Sequence, residues 1–99
     1  VRKKKPQLPP FEEFQAPEGG SFGAYVCTDS MEALKLLRGG KSIQAKGPDG
    51  MLAVQSVGDR WRCYLKVSAP GKRAEMTLEH NHPGMLNAWL HIWWPWLGL

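Results

Sequence analysis

The chain has 99 residues, enough for one domain with a single modest core. Its two cysteines, Cys27 and Cys63, exclude a disulfide framework, and each sits in an apolar strand pattern where a reduced, buried thiol is expected. Thirteen Lys and Arg face nine Asp and Glu; Arg2, Lys3, Lys4 and Lys5 supply the whole excess, so the body of the chain is neutral on balance.

Residues 1–20 read as an extended basic and Pro-rich arm. The cationic cluster Arg2, Lys3, Lys4, Lys5 is followed by Pro6, Pro9 and Pro10, a composition that resists helix and sheet alike. Phe11 and Phe14 are spaced to share one side of a short turn and so to clip the arm to the core. Pro17, Gly19 and Gly20 then make a loop. The sequence begins at Val1 and shows no signal-peptide pattern, which suggests a processed product or an excised fragment. An intracellular setting is favoured, with the compartment left open.

Residues 21–84 read as the folded domain. A short strand is expected over 24–28. Asp29 with Glu32 three positions later has capping-box spacing and opens a short helix whose apolar side is Met31, Leu34 and Leu37. Gly39-Gly40 ends it. Lys35 and Arg38 fall in its last turn, where the helix dipole favours cations. A hairpin follows, with Ile43 and Ala45 pointing inward, the turn Gly47-Pro48-Asp49-Gly50, and a second strand running to Val57.

After Gly58-Asp59 comes the most legible stretch. Trp61, Cys63, Leu65 and Val67 alternate with Arg62, Tyr64, Lys66 and Ser68, and Ala74, Met76 and Leu78 alternate with Arg73, Glu75, Thr77 and Glu79. A turn over Ala69-Pro70-Gly71-Lys72 sets Ser68 against Arg73, Lys66 against Glu75 and Arg62 against Glu79. The expected fold class is α+β: an antiparallel meander of four to five strands, with one short helix before it and a Trp-rich helical segment after it.

Residues 85–99 carry no charged side chain at neutral pH and include Trp89, Trp93, Trp94 and Trp96. They suit a helix that is apolar all round and stopped by Pro95, and such a helix is buried on more than one side. It is too short for a membrane span, which needs about 20 residues. It can cover the sheet, insert shallowly at a bilayer surface, or extend the core into a partner protein. Trp89 is expected to pack inward, with Trp93, Trp94 and Trp96 projecting past the domain edge as partner-binding anchors.

Chemical motifs are sparse. Cys63 followed by His80-Asn81-His82 resembles the end of FLYWCH-type and WRKY-type zinc-binding domains. Those domains place a second cysteine close to the first, and none stands near Cys63; a set of Cys27, Cys63, His80 and His82 would require the first strand to neighbour the hairpin. The contiguous His-Asn-His is not the HNH endonuclease pattern, whose letters are widely separated. A Cys63 thiol beside His80 or His91 lacks a third, orienting group. Gly19-Gly20 and Gly39-Gly40 match no phosphate loop. No catalytic residue, cofactor or metal is therefore assigned, and an enzyme is not expected.

Two non-catalytic functions remain. One is an interaction module or accessory subunit that docks on a protein partner through the Trp-rich segment, tethered by the basic arm. The alternative is a small RNA- or DNA-binding domain. It would use Arg2, Lys3, Lys4 and Lys5 with the strand-face residues Arg62, Lys66 and Arg73. The order helix, strands, helix is similar to that of double-stranded-RNA-binding domains, although the final segment here has no lysine. The subunit is the preferred expectation.

Overall fold

In the computed structural model, which describes residues 9–99, β5 (Arg60–Ala69) and β6 (Lys72–His80) form the hairpin that the alternation predicts. Lys66 pairs with Glu75 and Arg62 with Glu79 on one face; Leu65 meets Met76 and Cys63 meets Leu78 on the other. The turn is tighter than expected, because Ala69 and Lys72 are themselves paired and only Pro70 and Gly71 form the loop. Gly71 takes a φ of 76°, which a side chain would disfavour. Upstream, β3 (Ile43–Lys46) and β4 (Gly50–Val57) complete an antiparallel run through β6.

A purely antiparallel meander is not what forms. The sheet has six strands in sequence order: β1 (Phe11–Gln15) and β2 (Ser21–Val26) make a further hairpin, and β2 runs parallel to β3. The cause is α1 (Ser30–Arg38), which lies between β2 and β3 and returns the chain to the starting end, as a parallel pair requires. Residues 11–15, assigned by sequence to the arm, are thus a strand. Phe11 and Phe14, three positions apart on it, point to opposite faces rather than sharing one. Phe11 packs edge-on against Tyr25, and Phe14 is buried beside Phe22 and Tyr64. Arg2, Lys3, Lys4 and Lys5 lie outside the described residues.

Asp29 caps α1 as expected, its Oδ1 accepting from the Met31 N–H at 3.1 Å. The stripe that faces the sheet is Ala33 and Leu37, flanked by Leu34 and Leu36. Met31, expected on that side, lies nearly opposite it around the helix and is 68% exposed.

The helices cover one face of the sheet. Beneath them Ile43, Leu52, Val54, Cys63, Leu65 and Val67 form a continuous apolar layer. Over it lies α2 (Pro83–Trp93), capped by His82, whose Nδ1 accepts from the Gly84 N–H at 3.0 Å. Leu86, Trp89 and Leu90 point inward. Trp89 sits over β6, with its Nε1 aimed at Met76 Sδ at 3.3 Å and its ring edge-on to His80.

Past α2 the chain does not leave the domain. Pro95 falls in the first turn of a 3₁₀ helix, Trp94–Leu97, where its missing N–H costs nothing. The expectation that Trp93, Trp94 and Trp96 project past the edge is therefore corrected. Trp94 and Leu97 are buried, and Trp93 and Trp96 pack on the core as an edge-to-face pair 5.0 Å apart. The β3–β4 turn holds this segment. The Asp49 N–H donates to the Leu97 carbonyl at 3.1 Å, and Lys72 Nζ, 2.7 Å from Asp49 Oδ2, also reaches the Trp96 carbonyl at 3.5 Å. Among the described residues no helix is long and apolar enough to cross a membrane.

Candidate interaction surface

Arg62, Lys66 and Arg73 share the open face of the sheet, as the strand alternation predicts. They do not form a free basic patch. Arg62 lies between two carboxylates, 3.6 Å from Glu18 and 3.5 Å from Glu79, and Arg60 adds a contact to Glu79 at 3.6 Å. Lys66 stands opposite Glu75. Arg73 alone of the three has no ion pair or opposed carboxylate among the described residues.

Glu18 is the residue that sequence reasoning missed. It rides on the loop between β1 and β2, which folds over the open face so that Phe14 and Phe22 stack near Tyr64, at ring separations of 5.7 and 5.9 Å. The Tyr64 hydroxyl donates to the Glu18 carboxylate. Burial first, and then that bond to a carboxylate, raise the Tyr64 pKa above the usual phenol value. Beside the loop is a cleft of about 240 Å³ lined by Phe14, Pro17, Met51, Tyr64, Lys66 and Thr77. Its polar groups are Gln15, Lys66, Glu75, Thr77 and Tyr64, with Lys66 opposite Glu75 across the strands and Tyr64 already bonded to Glu18.

The sulfur and imidazole groups stand apart. Cys27 and Cys63 are free and buried, and burial pushes both thiols up to about 12, which leaves them protonated at neutral pH. Cys27 follows β2 and Cys63 is on β5, with β3 and β4 between, a separation of about 14 Å at the usual strand spacing. They therefore cannot share a tetrahedral ion with His80 and His82. His82 is spent on capping α2, and desolvation lowers the pKa of His80, whose Nε2 is buried without a partner.

The surface that stands out is the border formed by α2 and β6. From Pro83 to Leu99 the sequence has no Asp, Glu, Lys or Arg. Four residues before Trp89 and three after it, Met85 and Ile92 lie on the same side of the helix, the side turned toward β6. They are 58% and 59% exposed. Beneath them β6 is the last strand of the sheet and pairs only with β5 among the described residues. An uncharged helix flank thus lies along an open nine-residue strand edge. Comparison with known proteins returned no matching family model, no matching curated relative and no matching solved structure.

Proposed function

We propose that this chain is a non-catalytic interaction module, a subunit that docks on another polypeptide through the outer flank of α2. The observation that carries this is the exposure of Met85 and Ile92 on a helix that has no charged residue on any side. A helix of that composition is normally covered on more than one side. The sheet covers its inner side through Leu86, Trp89 and Leu90, and the flank with Met85 and Ile92 is left for a partner. The Trp residues contribute indirectly. By packing Trp93, Trp94 and Trp96 into the domain, the fold holds α2 rigid and pre-organised, which lowers the entropy lost on docking.

The RNA- or DNA-binding alternative draws on fewer observations. Two of its three strand-face cations are opposed by carboxylates, and a face with interleaved charge supplies little net attraction to a phosphate backbone.

Native mass measurement of the chain isolated from the cells that make it tests the proposal. The expected result is an assembly of whole-number protein stoichiometry, unchanged by nuclease, that is lost in the variant Met85→Lys/Ile92→Lys. Both positions are exposed, and Lys is a good helix former, so the variant should still fold. Mass that falls on nuclease treatment would favour nucleic acid instead. An assembly that survives both lysines would place the docking surface elsewhere.

A further inference from the structure

We infer that the partner is a second copy of this chain, joined through the open edge of β6 in an antiparallel, two-fold pairing centred on Met76. This rests on the docking surface proposed above and names its occupant. The edge invites pairing: β6 is nine residues long, contains no proline, and keeps unbroken register with β5 from Lys72 to His80. Native proteins usually blunt such an edge with a bulge, a proline, a very short strand or charged side chains; here only charges are present, and they choose the register.

The backbone decides which residues take part. Because Ala69 and Lys72 close a two-residue turn, they exchange both hydrogen bonds, and the alternation then directs the N–H and C=O of Lys72, Ala74, Met76, Leu78 and His80 toward β5. The backbone groups of Arg73, Glu75, Thr77 and Glu79 are therefore turned outward. Two copies can join these in only a few antiparallel registers. Centring on Glu75 sets Glu75 against its own copy, and centring on Thr77 sets Glu75 against Glu79, both like-charge pairs, while centring on Ala74 or Leu78 aligns only residues 72–76 or 76–80. Centring on Met76 sets Arg73 against the second copy's Glu79, twice, and Glu75 against its Thr77.

That register also gives Arg73 the carboxylate it lacks within the monomer, Glu79, which it shares with Arg60 and Arg62 of the second copy. A two-fold axis through a Met76 pair stands perpendicular to the sheet. Both copies then present their helix-covered faces to the same side, with the Met85 and Ile92 flanks of the two α2 helices turned toward each other across the axis. One interface thus uses both the open edge and the uncharged flank, and it extends the sheet from six strands to twelve.

Sedimentation and native mass of the purified chain test this directly. The expected particle has twice the 11.1 kDa chain mass. Arg73→Glu should abolish it by opposing Glu79 in both cross-pairs. Thr77→Pro should abolish it too, since that residue's N–H is unused within the monomer and proline is tolerated at a sheet edge. Glu79→Lys should be monomeric alone, yet an equimolar mixture with Arg73→Glu should form a mixed dimer, because each then offers the opposite charge in both cross-pairs. Circular dichroism verifies that each variant is folded; if Glu79→Lys is not, Arg73→Glu and Thr77→Pro decide the matter. A monomeric native chain, or a dimer that persists in both of those variants, overturns the inference. A monomeric purified chain that still joins a different protein in its own cells, sensitive to Met85→Lys/Ile92→Lys, overturns the self-pairing while the docking proposal stands.

Discussion

On the helix-covered face a continuous apolar layer runs from Cys27 to Leu97, whereas the open face buries a smaller set, Phe14, Ala24, Gln44, Ala53 and Tyr64, and otherwise carries paired charges. The first is held by area and shape, which are indifferent to salt and intolerant of voids. The second depends on a few hydrogen bonds and ion pairs, each worth little in water. Perturbations on the covered face should therefore be large and those on the open face small and sensitive to ionic conditions.

The largest expected effect is truncation after Ile92. It removes Trp94 and Leu97 from the core, with Trp93 and Trp96 beside them. Deleting one buried aromatic costs about 3–5 kcal/mol, and a domain of this size has only about 5–15 kcal/mol in total. The truncated chain should lose its near-ultraviolet dichroism and its cooperative melt. A folded truncated chain would show the C-terminal segment to be separable from the core.

Gly47→Ala comes next. A Cβ there would lie 2.0 Å from the Leu97 carbonyl oxygen, so the 3₁₀ helix has to retreat from the β3–β4 turn. Urea denaturation should show a loss of about 1–3 kcal/mol, the usual range for overpacking a well-fitted site. Unchanged stability would mean that the turn does not grip the C-terminal segment.

These two changes touch what the sequence hid. The β5–β6 hairpin and its register were legible because period-two alternation, a Pro-Gly turn and two opposite-charge pairs all agree locally. Asp29 and Gly39-Gly40 announced α1 for the same reason. Trp89 was legible as a core residue, but the packing of Trp93, Trp94 and Trp96 was not, because it depends on Asp49 and Lys72, far away in sequence, and because Pro95 reads locally as a stop. Nor was β1, where Pro17 and the two glycines mark a loop but leave the strand before it unannounced; its partner β2 was announced only in part, over 24–28 rather than Ser21–Val26. Glu18 carries no local signal at all, since its partners Arg62 and Tyr64 are met only after folding.

On the open face, Tyr64→Phe should cost about 1 kcal/mol by removing the donor to Glu18, with the aromatic stack intact. Combined with Glu18→Gln it should show coupling in a double-mutant cycle. Strict additivity would indicate that the hairpin tip is held by its rings alone.

His80, at the margin of the covered face, gives a pH signature. Desolvation lowers its folded pKa below the ordinary 6.5, so protons prefer the unfolded chain. Its contribution is fully present above that ordinary value, is lost as pH falls through it toward the folded pKa, and then levels off. Between pH 7.5 and 5.5 the native chain should lose more stability than His80→Gln, and equal slopes would remove this role.

The smallest effect concerns Lys66, which stands opposite Glu75 on the open face. Lys66→Glu sets two carboxylates against each other and should cost from a few tenths to about 1 kcal/mol, while the exchange Lys66→Glu/Glu75→Lys restores the pair and most of the stability. Salt separates this from the covered face. Exposed charges are screened within about 10 Å at 0.1 M ionic strength, so the penalty of Lys66→Glu should shrink as sodium chloride is raised from 0.01 to 1 M, roughly the range over which the screening length falls from 30 to 3 Å. The penalty of Gly47→Ala, a steric one, should stay constant over the same range. If the two penalties respond alike to salt, the open face is packed as tightly as the covered one, and the contrast between them fails.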